Sequence, residues 1–198
     1  MISRHKFFVQ KDQITGDKVT LTGSDVSHIR TVLRLKTGDS IQVISDSDKW
    51  LTVRLLEVKA KEVHGEVIAS KTVSLESPLA IHLGQALIKG NKFDVILRKS
   101  VELGVRSVTS LKTERCVVKI QQTEMSKKLE RWKKIVLESS KQCGRTQIPQ
   151  VAEEVETLET FCRKNNDQDL KLVFWELEEN TTLKNIKLDA KPRSAAIL

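Results

Sequence analysis

The sequence predicts a two-part protein, an N-terminal β-barrel followed by an α/β domain with a mainly parallel sheet. Three observations carry this. From Arg4 to about Ser70 the apolar residues alternate over short runs, the period of half-buried strands. After Pro78 the pattern becomes strand–helix alternation with continuously apolar strand runs, which implies a parallel sheet covered on both faces. Between them the stretch KTVSLESP, Lys71 to Pro78, lacks periodicity and ends in Ser-Pro, which disfavours continued helix. The boundary is therefore set between residues 1–72 and 73–198.

In the first part, Phe7 to Val9, Val19 to Leu21, Ile41 to Ile44, Leu51 to Val58 and Val63 to Ile68 read as strands, with glycines at or beside the turns. One helix interrupts them. Ser24 can cap a segment that carries Val26, Ile29, Val32 and Leu33 at helical spacing. Several short strands around one small helix suggest a compact barrel.

The second part is organised around HLGQALIKGNKFDVILRKSVELG, His82 to Gly104. Leu79 to Gly84 reads as a buried strand, Lys89-Gly90-Asn91-Lys92 as a loop, and Phe93 to Leu103 as an amphipathic helix stopped by Gly104. Val105 to Leu111, and within it Ser107 to Leu111, is the next strand, completing a βαβ unit. Further helices are expected from about Ser126 to Cys143 and about Glu153 to Asn165, and further strands at Leu170 to Trp175 and Ser194 to Leu198. Ligands of such sheets lie beyond the carboxyl ends of the strands. Here that means Gln85 to Lys92, Lys112 to Val118 and Trp175 to Asn180.

Composition narrows the partner. The 198 residues are 39% hydrophobic and 30% charged, as in a soluble globular chain. The formal net charge of +8 suits nucleic acid, or less often an anionic membrane, although a generic basic surface gives the same balance. No run is long and apolar enough to span a bilayer, and Met1 to Lys6 carries no signal-peptide pattern, so a cytoplasmic location is expected. Cys116, Cys143 and Cys162 are well separated, with no CxxC or Cys/His spacing, which argues against a zinc site or a disulfide framework. No metal is implied.

Several basic groups stand out. Lys89, Lys92, Arg98 and Lys99 gather at the βα turn and on its helix, where Gly90 lets a phosphate approach the backbone. The loop is neither a Walker loop nor a dinucleotide GxGxxG. Lys99 and Glu102 are three apart and can simply pair on one helix face. Arg115 follows a strand directly and can bind a phosphate bidentately or be locked to Glu114 or Glu102. His28, Arg30 and Arg34 cluster at the end of the small helix, where cations are favoured by the dipole whatever the function. Leu129, Trp132, Ile135 and Val136 form a helical stripe best read as core. Trp175, beside Phe174 and Glu176, ends a strand, where it is either buried or open to stacking.

Several of these runs occur together in one known family. Gly84-Gln85, Lys89-Gly90, Arg98 to Val105 (RKSVELGV), Thr113-Glu114-Arg115-Cys116, Gln142-Cys143-Gly144-Arg145-Thr146 with Pro149, and His28 to Arg34 with Gly38-Asp39 follow in fixed order. The chain resembles the bacterial ribosomal RNA small-subunit methyltransferase E family over nearly its whole length. The resemblance implies a PUA-like barrel that holds RNA and a SPOUT-type domain of the trefoil-knot superfamily. It implies an S-adenosyl-L-methionine (SAM) cofactor and a 16S ribosomal RNA substrate, methylated at N3 of a uridine in the decoding region within the small subunit.

By the same resemblance, Arg4, Lys6, His28, Arg30 and Arg34 are RNA contacts of the barrel, joined by Lys89, Lys92, Gln142 and Arg145. A structural role for Arg145 in fixing its turn stays open. Catalysis would fall to Arg98, Lys99, Glu102 and Arg115, with Glu102 as a base and the cations stabilising a uridine anion. Phe174, Trp175 and Glu176 would help wall the cofactor pocket. By the same resemblance, family members run on beyond the strand at Ala195 to Leu198 into an Ile-Gly-Pro-Glu-Gly-Gly loop and a segment that closes the knot and supports a homodimer, and this loop and segment carry most of the contacts to SAM. The knot is accordingly expected to be incomplete at Leu198. The alternative expectation is a non-catalytic RNA-binding or ribosome-assembly module.

Overall fold

The structure, a computed structural model, describes residues 2–45, 49–73, 75–114, 116, 122–188 and 190–198, with backbone only for 2–5, 122 and 123. It divides into two compact units, Met1–Glu76 with Ser140–Gln147, and Ser77–Ser139 with Ile148–Leu198. The return of 140–147 to the first unit has no signature in the sequence.

The first unit is built on one sheet of six strands: β1 (Ile2–Val9), β2 (Ile14–Thr15), β3 (Lys18–Thr22), β4 (Ser40–Ser45), β5 (Lys49–Val58) and β6 (Glu62–Thr72). Their order is β1-β4-β5-β6-β3-β2; β1 pairs with β4 in parallel and every other described pair is antiparallel. Alternation does what the sequence requires of it. Val19 and Leu21 in β3, and Leu51, Val53 and Leu55 in β5, all turn inward. They join Phe7, Val9, Val26, Ile29, Ile41, Val43 and Val63 in one core.

The small helix differs from the expected one. Its cap is Gly23, at φ 68°, and Ser24 is its first helical residue. After α1 (Ser24–Ser27) the chain widens into a π-helical turn, His28–Val32, closed by the Leu33 N–H on the His28 carbonyl at 2.9 Å. An extra residue per turn re-aims the side chains that follow.

The second unit is a parallel sheet in the order β10-β8-β7-β12-β11, from β7 (Ala80–Ala86), β8 (Ser107–Lys112), β9 (Gln150–Val151), β10 (Glu156–Thr157), β11 (Leu170–Leu172) and β12 (Ser194–Ile197); β9 also pairs with β8. Every described pairing is parallel. Helices α2 (Lys92–Glu102) and α3 (Gln122–Cys143) cover one face, where Leu97, Val101, Trp132 and Val136 pack with Val108. On the other face Phe161 of α4 (Leu158–Lys164) meets Leu111 and Ala196.

Gly104, at φ 90°, ends α2. Its N–H reaches the Val101 carbonyl at 3.1 Å, and the Val105 N–H reaches that of Ser100 at 3.0 Å, a left-handed stop that turns the chain into β8.

Two expected elements are shorter. The helix expected from Glu153 begins at Leu158, because Thr157 caps it by accepting the Thr160 N–H at 3.2 Å, and Glu156–Thr157 are drawn off to pair with β8. The strand expected to reach Trp175 stops at Leu172. Apolar continuity alone cannot separate a strand from an exposed apolar loop.

Candidate functional site

In the second unit β7 is central. The chain passes from it to β8 on one side, while β12 and β11 lie on the other. This is the reversal at which open parallel sheets bind ligands, beyond the carboxyl ends of their strands. The described residues that meet that edge are 87–91 after β7, 113, 114 and 116 after β8, and 173–180 after β11. Cys116 ties the first two: its Sγ donates to the Leu87 carbonyl at 3.0 Å and its N–H to that of Thr113 at 3.0 Å.

A cavity of about 240 Å³ opens where α2 leaves this edge, lined by Asn91, Phe93, Asp94, Lys128, Arg131 and Trp132 among others. The Phe93 and Trp132 rings lie 4.6 Å apart, centroid to centroid. Arg131 donates from Nε (3.1 Å) and Nη2 to the same oxygen of Asp94, Oδ2. Asp94 is buried, whereas the Arg131 side chain is 59% exposed.

Lys89 and Lys92 are exposed on the loop and first turn at this same edge. Arg98, Lys99 and Glu102 are not. A helix rises about 1.5 Å per residue, so α2 carries Lys99 and Glu102 back toward the amino ends of the strands, roughly 10 Å and 15 Å along the axis from Lys92. There Lys99 Nζ donates to Glu102 Oε2 at 2.7 Å on an exposed face. The pairing read as the simple alternative is therefore present, and within this unit the pair lies away from the ligand edge. Arg98 is exposed on the same helix. Arg115 and Val118 lie outside the described residues.

The loop after β11 leaves Val173, Phe174, Trp175 and Leu177 strongly exposed, Trp175 at 57%. Burial at a strand end, the simpler account of Trp175, does not hold. The Phe174 N–H donates to the Leu198 carbonyl at 2.9 Å, which pins the start of the loop to the sheet. Glu176 is exposed beside it.

In the first unit, Arg30, Arg34, Leu35, Lys36, Thr37 and Val58 line a depression of about 390 Å³. Arg30 Nη1 donates to the Ala60 carbonyl at 3.3 Å. Arg34 sits at φ 52°, the one non-glycine in the left-handed region among the described residues. His28, expected with them, is turned inward: its ring meets Phe7 edge-on at 5.9 Å. Residues two apart on a helix point to opposite sides, so His28 faces Phe7 while Arg30 faces the depression.

Two further expected RNA contacts are engaged inside the same unit. Lys6 places Nζ 4.5 Å from the centre of the Trp50 ring. Arg145 is buried, and donates to Glu76 from Nε at 3.1 Å and from Nη2. Its burial contradicts an exposed RNA-contacting side chain and bears on the alternative, a turn-fixing role. Gln142 is exposed; the Arg4 side chain lies outside the described residues.

Sequence reasoning missed Asp94, read Lys128 and Arg131 only as part of a basic run from Lys127 to Lys134 with solvent-facing lysines that add non-specific RNA attraction, and placed Trp132 only in the core. One signal was legible. Asp94, Leu97 and Val101 stand at helical spacing and all three are buried, so a carboxylate occupies the apolar stripe of α2.

Comparison with known proteins decides the family. A model of the RNA methyltransferase domain matches residues 75–198, and one of the RNA methyltransferase PUA domain matches 21–68. Ribosomal RNA small subunit methyltransferase E of Buchnera aphidicola (from Schizaphis graminum) is 31% identical over 85% of this chain and 67% of its own length. The Bacillus subtilis protein of the same name is 30% identical over 86% of the chain and 68% of its own. The chain belongs to the ribosomal RNA small subunit methyltransferase E family.

Solved structures agree. A methyltransferase of Legionella pneumophila in complex with bound SAM superposes with a TM-score of 0.86 at 32% identity, over 97% of this chain and 77% of that one. The small subunit methyltransferase E of Neisseria gonorrhoeae, bound to S-adenosyl methionine, gives 0.81 at 26%, over 98% and 78%. The first unit is thus PUA-like, and the second is the parallel-sheet domain of SPOUT methyltransferases. The chain spans about two thirds of the length of these curated relatives. Among the described residues, no helix is long and apolar enough to cross a membrane, and no cluster of three or more His, Cys, Asp or Glu is placed to hold a metal.

Proposed function

We propose that this chain acts in SAM-dependent methylation of small-subunit ribosomal RNA, with N3 of a uridine in the decoding region of 16S RNA as the target. The observation that carries the reading is the coincidence of family membership with the apolar and basic segments gathered at one edge of the parallel sheet. The residues present suit the cofactor. Phe174 and Trp175 are exposed aromatic faces at the carboxyl end of β11, of a kind an adenine can cover. Glu176 beside them offers a carboxylate to ribose hydroxyls. Bound there, SAM supplies an electrophilic methyl group on a sulfonium.

The protein's own part is to bring a uridine to that edge and manage its N3 proton. Uridine N3 is protonated at neutral pH, so attack requires a base or a cation that stabilises the uridine anion. Lys89 and Lys92 are exposed cations on this edge, and Arg115 keeps a place in the proposal from its position shortly after β8. Lys99 and Glu102 do not: their mutual hydrogen bond and their place on the last turn of α2 argue for a surface pair. The Arg30, Arg34 and Lys36 depression supplies phosphate contacts in the PUA-like unit.

The test is to incubate the protein with methyl-labelled SAM and small ribosomal subunits, digest the 16S RNA and identify the labelled nucleoside. N3-methyluridine is expected. Label in another nucleoside would refute the target; RNA binding without label would support a non-catalytic RNA-binding module instead.

A further inference from the structure

Asp94 is a carboxylate in the apolar stripe of α2, 7% exposed, with Phe93 and Leu97 buried beside it. Burying a carboxylate is costly, and pairing it with a cation as open as Arg131 returns little stability. A tie built for strength would match two guanidinium nitrogens to two carboxylate oxygens. Here Nε and Nη2 both donate to Oδ2. That contact uses one edge of the planar guanidinium. The other edge, Nη1 with the second hydrogen of Nη2, is turned away from Asp94. The Arg131 side chain is 59% exposed, and among the described residues no other hydrogen bond or ion pair holds it.

Its surroundings are cationic. Arg131 shares the rim of the cavity after β7 with Gly90, Asn91 and Lys128. Lys89 and Lys92 are exposed on the loop and first turn of α2, and Lys127 on the turn of α3 before Arg131.

We infer that Arg131, held in place by Asp94, is a phosphate-binding fork that receives the RNA backbone at the ligand edge. The inference rests on the RNA-methyltransferase reading and gives the second unit a phosphate contact of its own. A guanidinium offers two parallel N–H bonds to phosphate oxygens, which a lysine cannot. Asp94 is a positioning residue. It fixes the fork before RNA arrives, so less side-chain freedom is lost on binding. A phosphate seated there orients the strand without touching the uridine that is methylated.

The test sets coulombic sign against geometry. Fluorescently labelled protein is titrated with small ribosomal subunits, by anisotropy, at several salt concentrations. Arg131→Gln and Lys134→Gln each remove one positive charge from an exposed position of α3. Arg131→Gln should weaken binding roughly tenfold and lower the salt slope by about 1. Lys134→Gln should cost less than about twofold. Arg131→Lys should restore the slope but not the affinity. Asp94→Asn removes a negative charge, so a purely coulombic surface would bind RNA more tightly; the fork predicts weaker binding. Thermal melts show whether that variant is folded, and the Arg131 and Lys134 comparison stands without it. SAM binding, read by calorimetry, should be unchanged in Arg131→Gln.

Equal losses in Arg131→Gln and Lys134→Gln, or tighter binding by folded Asp94→Asn, would overturn the fork and leave Asp94–Arg131 as a tie between helices. Weakened SAM binding in Arg131→Gln would overturn it too, by assigning Arg131 to the cofactor's carboxylate. Methyl transfer to ribosomal RNA together with equal losses would reject the fork but keep the methyltransferase. An Arg131-dependent affinity without transfer would do the reverse, and no binding by the unsubstituted protein would reject both.

Discussion

Arg145 holds the carboxylate of Glu76 by one edge while the backbone holds the other. Nε and Nη2 donate to Oε2, and the N–H groups of Thr146 and Gln147 donate to Oε1 at 3.1 and 3.0 Å. The residue just before the Ser-Pro segment is thereby fastened to the loop after α3, and 140–147 becomes part of the first unit. Gly144, at φ 78°, makes the turn that aims Arg145 inward.

Removing this carboxylate takes a charged acceptor away from a buried guanidinium and two backbone amides. Glu76→Ala is expected to cost about 3 kcal/mol, read from urea unfolding curves. Burial pushes the Glu76 carboxyl up, but the Arg145 hydrogen bond and the Gln147 and Thr146 amides outweigh it and hold it below its usual 4.5. The stability it contributes is complete above that value and is lost as the pH falls through its lowered folded one. Glu76→Gln should therefore show a shallower loss of stability below pH 4.5.

His82, half-buried in β7, should titrate below its ordinary value of 6.5. Burial disfavours the imidazolium and Arg106 repels it, against a weaker pull from Asp167. The neutral ring pairs through Nδ1 with Ser107 Oγ at 2.8 Å. The unfolded chain then binds the proton more readily, so stability falls as the pH drops below 6.5 toward the folded value. NMR titration of the imidazole should give a midpoint under 6.5, and His82→Gln should remove that part of the pH dependence.

Arg34 separates function from structure by opposite signs. Arg34→Gly relieves a left-handed backbone and should raise stability by about 1 kcal/mol, seen in thermal melts. In the RNA-binding reading it should also weaken RNA affinity and lower the salt slope by about 1, seen by fluorescence anisotropy at several salt concentrations. A gain in stability with unchanged RNA affinity would make the depression an ordinary solvated face.

Gly84 lies where β7 is crossed by side chains from three directions. A Cβ there would come within 2.7 Å of Leu198 Cδ2 and 3.0 Å of both Leu111 Cδ1 and Phe161 Cε1. Gly84→Ala should cost about 1–3 kcal/mol, with a lower melting temperature and an unchanged circular dichroism spectrum at low temperature.

The parallel sheet was legible because short runs with an apolar core, such as Leu79 to Gly84 and Ser194 to Leu198, alternate with helices that carry clean stripes. Phe93, Leu97 and Val101 needed no tertiary knowledge to place. What escaped depends on contacts distant in sequence. Arg145 reads as a loop cation until Glu76 is brought to it across 69 positions. His28 reads as part of a basic cluster until the fold sets its ring against Phe7. The apolar run through Val173, Phe174 and Trp175 looks like strand, and its exposure shows only in the fold.

The central claim is met most directly by titrating SAM into this protein in a calorimeter, with Trp175→Ala alongside. The account predicts a saturable, one-site heat that is weakened in the variant. Absence of heat from the unsubstituted protein, folded by circular dichroism, would contradict it.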